Sequence, residues 1–367
     1  MGGALKDTRD WHFIGGSSIW EMAFEKRFVR AATWACGLTV MAISVTVPAG
    51  PAKAQAYTYS ATIGAGALLS DPVASAVDIA QGRLLVADRN NDAVLVYDTT
   101  TLAHIATIGV VGVAVPLDNI HLNQPSGVCV DAANDHILVV DGGNERVQIY
   151  DAKSLAYVAT IGEPNVVGID NAHFNRPASV KINPVAGQIY VADSFNERIQ
   201  IFDAKSFRYV ATLGTTRVPG TDANQLIQPS DAEYNPLTNQ IMIADRLNER
   251  VMLYDATTLK PLSQLGETGI PAYEAGDNAH FYAPTAIAFD AANKVVLIVD
   301  SGNHRVQIYH AQNYKFFRTL GKAGEDGTDN KHFATPKGVS ADPAHSRIFV
   351  VDSGNSRVQV YTTKPAR

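Results

Sequence analysis

One phrase, Asp141-Gly-Gly-Asn144-Glu-Arg146-Val-Gln-Ile-Tyr150, recurs along the chain with nearly constant spacing. Its leading Asp stands at 88, 141, 193, 245, 300 and 352, so the steps are 53, 52, 52, 55 and 52 residues. A Pro precedes each Asp by 16 (Pro72, Pro125, Pro177, Pro229, Pro284, Pro336) and an aromatic follows it by 9. A Gly follows each of the first five aromatics by 12. Only the Gly-to-Pro links vary, from 8 residues (Gly64 to Pro72) to 18 (Gly266 to Pro284). Rigid units joined by variable loops must each bury a face against their neighbours.

Each unit reads as four short strands. In the second they are Gly127 to Asp131, Ile137 to Val140, Arg146 to Tyr150 and Tyr157 to Ile161. Val, Ile and Tyr fill these runs and Asn/Asp/Gly clusters separate them. Four strands in about 50 residues predict one propeller blade per repeat. The last copy stops after Tyr361 without a fourth strand, whereas Tyr57-Thr-Tyr-Ser-Ala-Thr-Ile-Gly64 matches the internal fourth strands. The fold expected is all-β: a six-bladed β-propeller of four-stranded blades, closed by pairing the N-terminal strand (about 57–64) with the last blade, which removes the open sheet edges.

The N-terminus reads as an address. Lys26, Arg27 and Arg30 precede an uncharged run from Ala31 to Val47, followed by small-x-small sites at Ala52-Lys53-Ala54 and Ala54-Gln55-Ala56. Met22 is read as the true start, with a signal peptide over 22–56 and Tyr57 as the first mature residue. A retained membrane anchor is the other reading of the 17-residue run. Residues 1–56 thus form an extension with signal peptide and 57–367 the propeller, which is expected to be periplasmic or secreted and monomeric, with no membrane span after processing. Removing residues 1–56 takes away six Lys/Arg, four Asp/Glu and all three Trp, and changes the net charge from −6 to −8. A charge of that sign argues against nucleic acid as partner. Two Cys exclude a disulfide framework.

The phrases Phe174-Asn-Arg-Pro177 and Asp193-Ser-Phe-Asn196-Glu-Arg198 resemble those of the NHL-repeat propeller family, and the resemblance covers 57–361. It implies the propeller but no single activity, because relatives include binding scaffolds, sensor domains, RNA-binding domains, lyases and lactonases. In the amidating lyases the resemblance implies zinc held by histidines directly after the Pro. Here those positions are Val73, Ser126, Ala178, Ser230, Thr285 and Lys337, and the next column is also without His. A lactonase-like calcium centre would want inner-strand carboxylates from several blades, and only the fourth offers them. No cofactor is therefore expected, calcium or zinc entering only with an enzymatic reading.

The repeated Arg of the turns (Arg146, Arg198, Arg250, Arg305, Arg357) has anion-binding chemistry, but a residue in nearly every repeat is expected to serve the repeat. The same holds for His121, His173, His280 and His332 before the Pro, read as loop packing. Departures from the repeat are more informative. By strand alternation the second and fourth residues after the Pro face the channel. They are mostly small, except Ser179 and Lys181 in blade 3 and Asp231 and Glu233 in blade 4. A Lys181–Glu233 contact is expected, with Asp231 nearer the mouth, as a buried ion pair or a site. On the loop face, Phe195, Arg246 and Leu247 replace small turn residues and suit a binding hot spot. Cys129 reads as channel filler. The residues favour a non-enzymatic binding scaffold for a protein, peptide or glycan. The alternative is a hydrolase or lyase, lactonase-like or amidating-lyase-like, with Asp231 or Glu233 as base or metal ligand and Lys181 as electrostatic partner.

Overall fold

The computed structural model describes residues 56–64, 68–115, 117–270 and 277–364. The proposed export signal, its cleavage and the start at Met22 fall on residues before this range and lie outside the described residues. No helix of the described residues is long and apolar enough to cross a membrane.

Six antiparallel sheets of four strands make six blades. Blade 2 shows the pattern: Pro125–Asp131, His136–Asp141, Arg146–Asp151 and Tyr157–Ile161. The inner strands are Pro72–Asp78, Pro125–Asp131, Pro177–Asn183, Pro229–Asn235, Pro284–Asp290 and Gly338–Asp342. Each touches the next, and the last touches the first, so the ring is closed.

Closure comes from the N-terminal strand Ala56–Ile63, which pairs antiparallel with Arg357–Lys364 as the fourth strand of blade 6. Tyr59 lies opposite Tyr361 and Ile63 opposite Val358, with a bulge between Tyr59 and Ala61. The outer strands of the other blades carry a bulge at the matching aromatic, for instance between Ile201 and Phe202. The bulge switches the side-chain parity. Tyr57 therefore packs with Leu297, Val299 and Leu320 of blade 5, while Ile63 packs with Leu84 and Val86 of blade 1.

Alternation in the second and third strands sends one set of side chains to each neighbouring blade. Between blades 3 and 4, Tyr190, Ala192, Ile199 and Ile201 meet Ala232, Tyr234, Ile241 and Ile243. Full burial of such a side chain stabilises by roughly 1.5–3 kcal/mol. The Gly after each outer strand is required where it stands. Gly162 has φ +94°, and a Cβ there would lie 2.8 Å from the Phe174 ring and 3.0 Å from the Glu145 carbonyl oxygen.

The repeated turn is a short 3₁₀ segment after each Asp, ending on a left-handed residue such as Glu197 (φ 60°). Here the Asp and Arg are structural, and no anion site forms. In blade 3 the Asp193 carboxylate accepts from Arg198 Nε (2.7 Å), Asn196 Nδ2 (2.9 Å) and the Asn175 backbone N–H (2.7 Å). The remaining Arg198 nitrogens donate to the carbonyl oxygens of Ile169, Asp170 and His173 in the loop ahead of the Pro. The loop histidines complete this packing. His173 Nδ1 meets Asp170 (2.6 Å) and Nε2 meets Glu163 (3.0 Å), and these hydrogen bonds raise its pKa. Blade 1 has Ala93 in place of the Arg, and there burial lifts the Asp88 pKa to about 6.

Candidate functional site

The inner strands place their second and fourth residues on the channel. Lys181 comes from blade 3, and Asp231 and Glu233 from blade 4. The Lys181 ammonium donates to Glu233 Oε2 (2.8 Å) and to the Ile287 carbonyl oxygen of blade 5 (2.7 Å), and stands 3.4 Å from Asp231 Oδ2. Asp231 is fully buried and accepts from the Ile287 backbone N–H (2.8 Å). Burial opposes the Lys181 charge, but the Asp231 and Glu233 carboxylates outweigh it and hold its pKa above the ordinary lysine value. Burial in turn lifts Glu233, in part against Lys181. The contact expected from the strand period is present, and it spans three blades rather than two.

This cluster ties both carboxylates down. Replacing Lys181 with Met removes the counter-charge and leaves two neighbouring carboxylates. Breaking a buried pair costs about 3–5 kcal/mol, and limited water access from the channel brings the expected loss to about 2–4 kcal/mol. Urea denaturation of Lys181→Met measures it. A loss below 1 kcal/mol, within the range of a surface pair, would show the ammonium to be dispensable.

Above the cluster the channel opens on the Pro-loop face into a cavity of about 310 Å³. Ser179, Lys181 and Asp231 line it, whereas Glu233 lies deeper, so Asp231 is the carboxylate nearer the mouth. Arg89, Arg246 and Lys337 stand at its rim. Lys337 Nζ is 2.7 Å from Asp71 Oδ1, and the Arg89 guanidinium is 2.6 Å from Asp71 Oδ2. Burial works against the Asp71 charge, but Lys337 and Arg89 prevail and lower its pKa. Burial, and then the Arg89 and Arg246 charges, pull Lys337 below the usual lysine value although Asp71 bonds to it.

Phe195 and Leu247 sit on the same face, 47% and 43% exposed. Phe195 lines two further clefts. One of about 350 Å³ is shared with Arg176, Gln228 and Arg246, and one of about 390 Å³ with Arg217 and Pro219. The matched turn positions of the other blades are Asn90, Gly143, Gly302 and Gly354. The fold thus brings Ser179, Lys181, Asp231 and Glu233 together in the channel and sets Phe195, Arg246 and Leu247 on the loop face, with Arg246 common to the mouth and one cleft. Arg89, Asp71 and Lys337 escaped the sequence reading, although Lys337 is the one charged residue in the column after the Pro.

Cys129 is buried and free, and burial pushes its thiol pKa up, so it is packing. The zinc implied by the lyase resemblance does not fit this channel. The column after the Pro holds no His, and among the described residues no group of three His, Cys, Asp or Glu could hold a metal. Calcium does not fit either, because the Lys181 ammonium already takes the oxygen donors of Asp231, Glu233 and Ile287.

A model of the NHL repeat matches residues 122–150, 174–202 and 281–309, which are blades 2, 3 and 5 up to their third strands. The chain therefore carries NHL repeats within a six-bladed β-propeller. It is similar to a probable peptidyl-alpha-hydroxyglycine alpha-amidating lyase of Caenorhabditis elegans, 34% identical over 164 residues, which cover 44% of this chain and 45% of the relative. It is also similar to peptidyl-glycine alpha-amidating monooxygenase B of Xenopus laevis, 21% identical over 55% of this chain and 24% of the relative. The chain spans less than half the length of either. Among solved structures, an auxiliary nutrient binding protein from Bacteroides thetaiotaomicron superposes with a TM-score of 0.58 at 15% identity, over 80% of this chain and 69% of that one. Hydrazine synthase of Kuenenia stuttgartiensis gives 0.55 at 14% identity, over 82% and 97%. At such identities these two share the fold alone.

Proposed function

We propose that this propeller is an exported binding scaffold that holds a protein, peptide or glycan partner on its Pro-loop face over blades 3 and 4. The observation that carries the reading is Phe195, an exposed aromatic lining two clefts with arginines on both sides. Aromatic and Arg side chains in concave surface are the usual anchors of an interface. Blades that supply only Asn or Gly at this position have nothing comparable to offer. Export rests on the basic, apolar and small-residue order of residues 22–56.

A partner captured by cross-linking from the periplasm or medium should be retained by the wild type and lost by the Phe195→Ala, Arg246→Ala pair. A partner held equally by both proteins would move the site elsewhere. The mature N-terminus, read by mass spectrometry, should be Tyr57.

The amidating-lyase similarity favours a second reading, a lyase or hydrolase at the channel mouth. It would need Asp231 or Glu233 free to act as base or metal ligand, and both are engaged by Lys181. Stoichiometric zinc or calcium in the purified protein, lost in Glu233→Ala, would favour the enzyme over the scaffold.

A further inference from the structure

The channel mouth carries groups besides Arg246 that a partner seated on Phe195 does not use. Three cations, Arg89, Arg246 and Lys337, surround the 310 Å³ cavity, and among the described residues Asp71 is the one carboxylate that pairs with any of them. The Arg246 guanidinium makes no hydrogen bond or close ion pair among the described residues, although its charge acts on the Glu249 carboxylate, where burial raises the pKa and Arg246 works against the rise. With Asp71 the rim keeps two positive charges, against one net negative charge on the Lys181–Asp231–Glu233 cluster below it, so the mouth is positive by one on a chain whose net charge is −6. Like charges crowd together here: Arg89 and Arg246 both act against the Lys337 charge. A cluster that costs electrostatic energy in the free protein is repaid when an anion enters.

The walls point the same way. The Ser179 and Thr285 side chains belong to the cavity wall, and rotation about χ1 would bring their buried, unpartnered hydroxyls to a molecule inside it. Ser126 and Ser230, on the same wall, donate to the Pro177 and Pro284 carbonyl oxygens and are satisfied. Buried hydroxyls without a partner are uncommon and call for a ligand or bound solvent to meet them. A cavity of this size takes a small molecule rather than a chain.

We infer that the channel mouth is a binding site for a small organic dianion, its charge met by Arg89, Arg246 and Lys337 and its remaining oxygens by Ser179 and Thr285. The site shares Arg89 and Arg246 with one of the Phe195 clefts but needs no macromolecular partner there. A dicarboxylate and a phosphate monoester share this chemistry.

Calorimetry at low ionic strength tests it with L-malate, glycerol 3-phosphate and the neutral malamide. At least one dianion should bind and malamide should not, and the one that binds more tightly identifies the ligand type. Lys337→Gln and Arg246→Gln should each weaken binding about tenfold, one charge-assisted contact apiece. Asp71→Asn should strengthen it several-fold by releasing the rim cations; Asp71 has φ 61°, which Asn tolerates. A gain of affinity cannot come from a damaged fold. Lys153→Gln removes the same charge from an exposed turn of blade 2 and should change nothing. No binding of either dianion, equal binding of malamide, or affinity indifferent to the Lys337 and Asp71 substitutions overturns the assignment.

Discussion

Deletion of residues 56–63 should abolish the folded monomer. The strand they form supplies the outer edge of blade 6 and sends Tyr57 to blade 5 and Ile63 to blade 1, so its loss opens both neighbouring interfaces. Each of these buried side chains is worth roughly 1.5–3 kcal/mol, a large part of the 5–15 kcal/mol that separates folded from unfolded protein. The deletion also bares the backbone of Arg357–Lys364 as an unpaired edge, which invites association. Size-exclusion chromatography should show aggregate or oligomer, and the cooperative thermal transition should disappear. A rescue separates the pairing from its place in the chain. Ala56 lies opposite Lys364, so an Asn-Gly turn placed after Lys364 can lead directly into residues 56–64. A permuted chain built this way and beginning at Leu68 should recover the monomer. A stable, monomeric deletion variant would show that the ring holds without its closing strand.

Arg198→Ala should destabilise the protein by about 3–5 kcal/mol, the cost of leaving a buried charge without its partner. Arg198 and Asp193 are both fully inaccessible, and the guanidinium also donates to three loop carbonyls, of which, among the described residues, only that of His173 has a second side-chain donor, Gln200. Blade 1 shows the consequence, since Asp88 has no Arg and burial carries its pKa to about 6. Burial already raises Asp193 with Arg198 beside it, and removing the guanidinium should raise it further. A carboxyl raised in the folded state binds its proton more tightly there than in the unfolded chain, so its contribution is fully present below the unfolded pKa and lost as pH rises through the folded one. The difference between wild type and Arg198→Ala should therefore be smaller at pH 5 than at pH 8. Urea titrations at both values measure it. Equal losses at both would mean that Asp193 stays ionised without its Arg.

The residues show why some of this was legible beforehand and some was not. Blade boundaries could be read because Pro, Asp, aromatic and Gly keep their spacing in every copy, and spacing is a local property. The Lys181–Glu233 contact could be read because strand alternation fixes which side chains face the channel, and these were the long charged ones in two adjacent blades. The third contact of Lys181, to the Ile287 carbonyl, follows no side-chain pattern and was invisible. The rim triad was missed for a different reason. Asp71 and Lys337 are 266 positions apart and meet only because the first and last blades are neighbours across the closure. Arg246, from blade 4, faces them from the opposite side of a six-fold ring.

Taken alone, the order of residues determined the number of blades and the turns that hold each Asp–Arg pair, because these repeat at short range, and the pairing that closes the ring, because the strand missing from the last copy stands at the N-terminus. Only the tertiary structure decided which unrepeated side chains share the channel mouth, and with them its charge. Electrostatic interaction depends on distance in space, and the ring brings together residues that the chain keeps hundreds of positions apart.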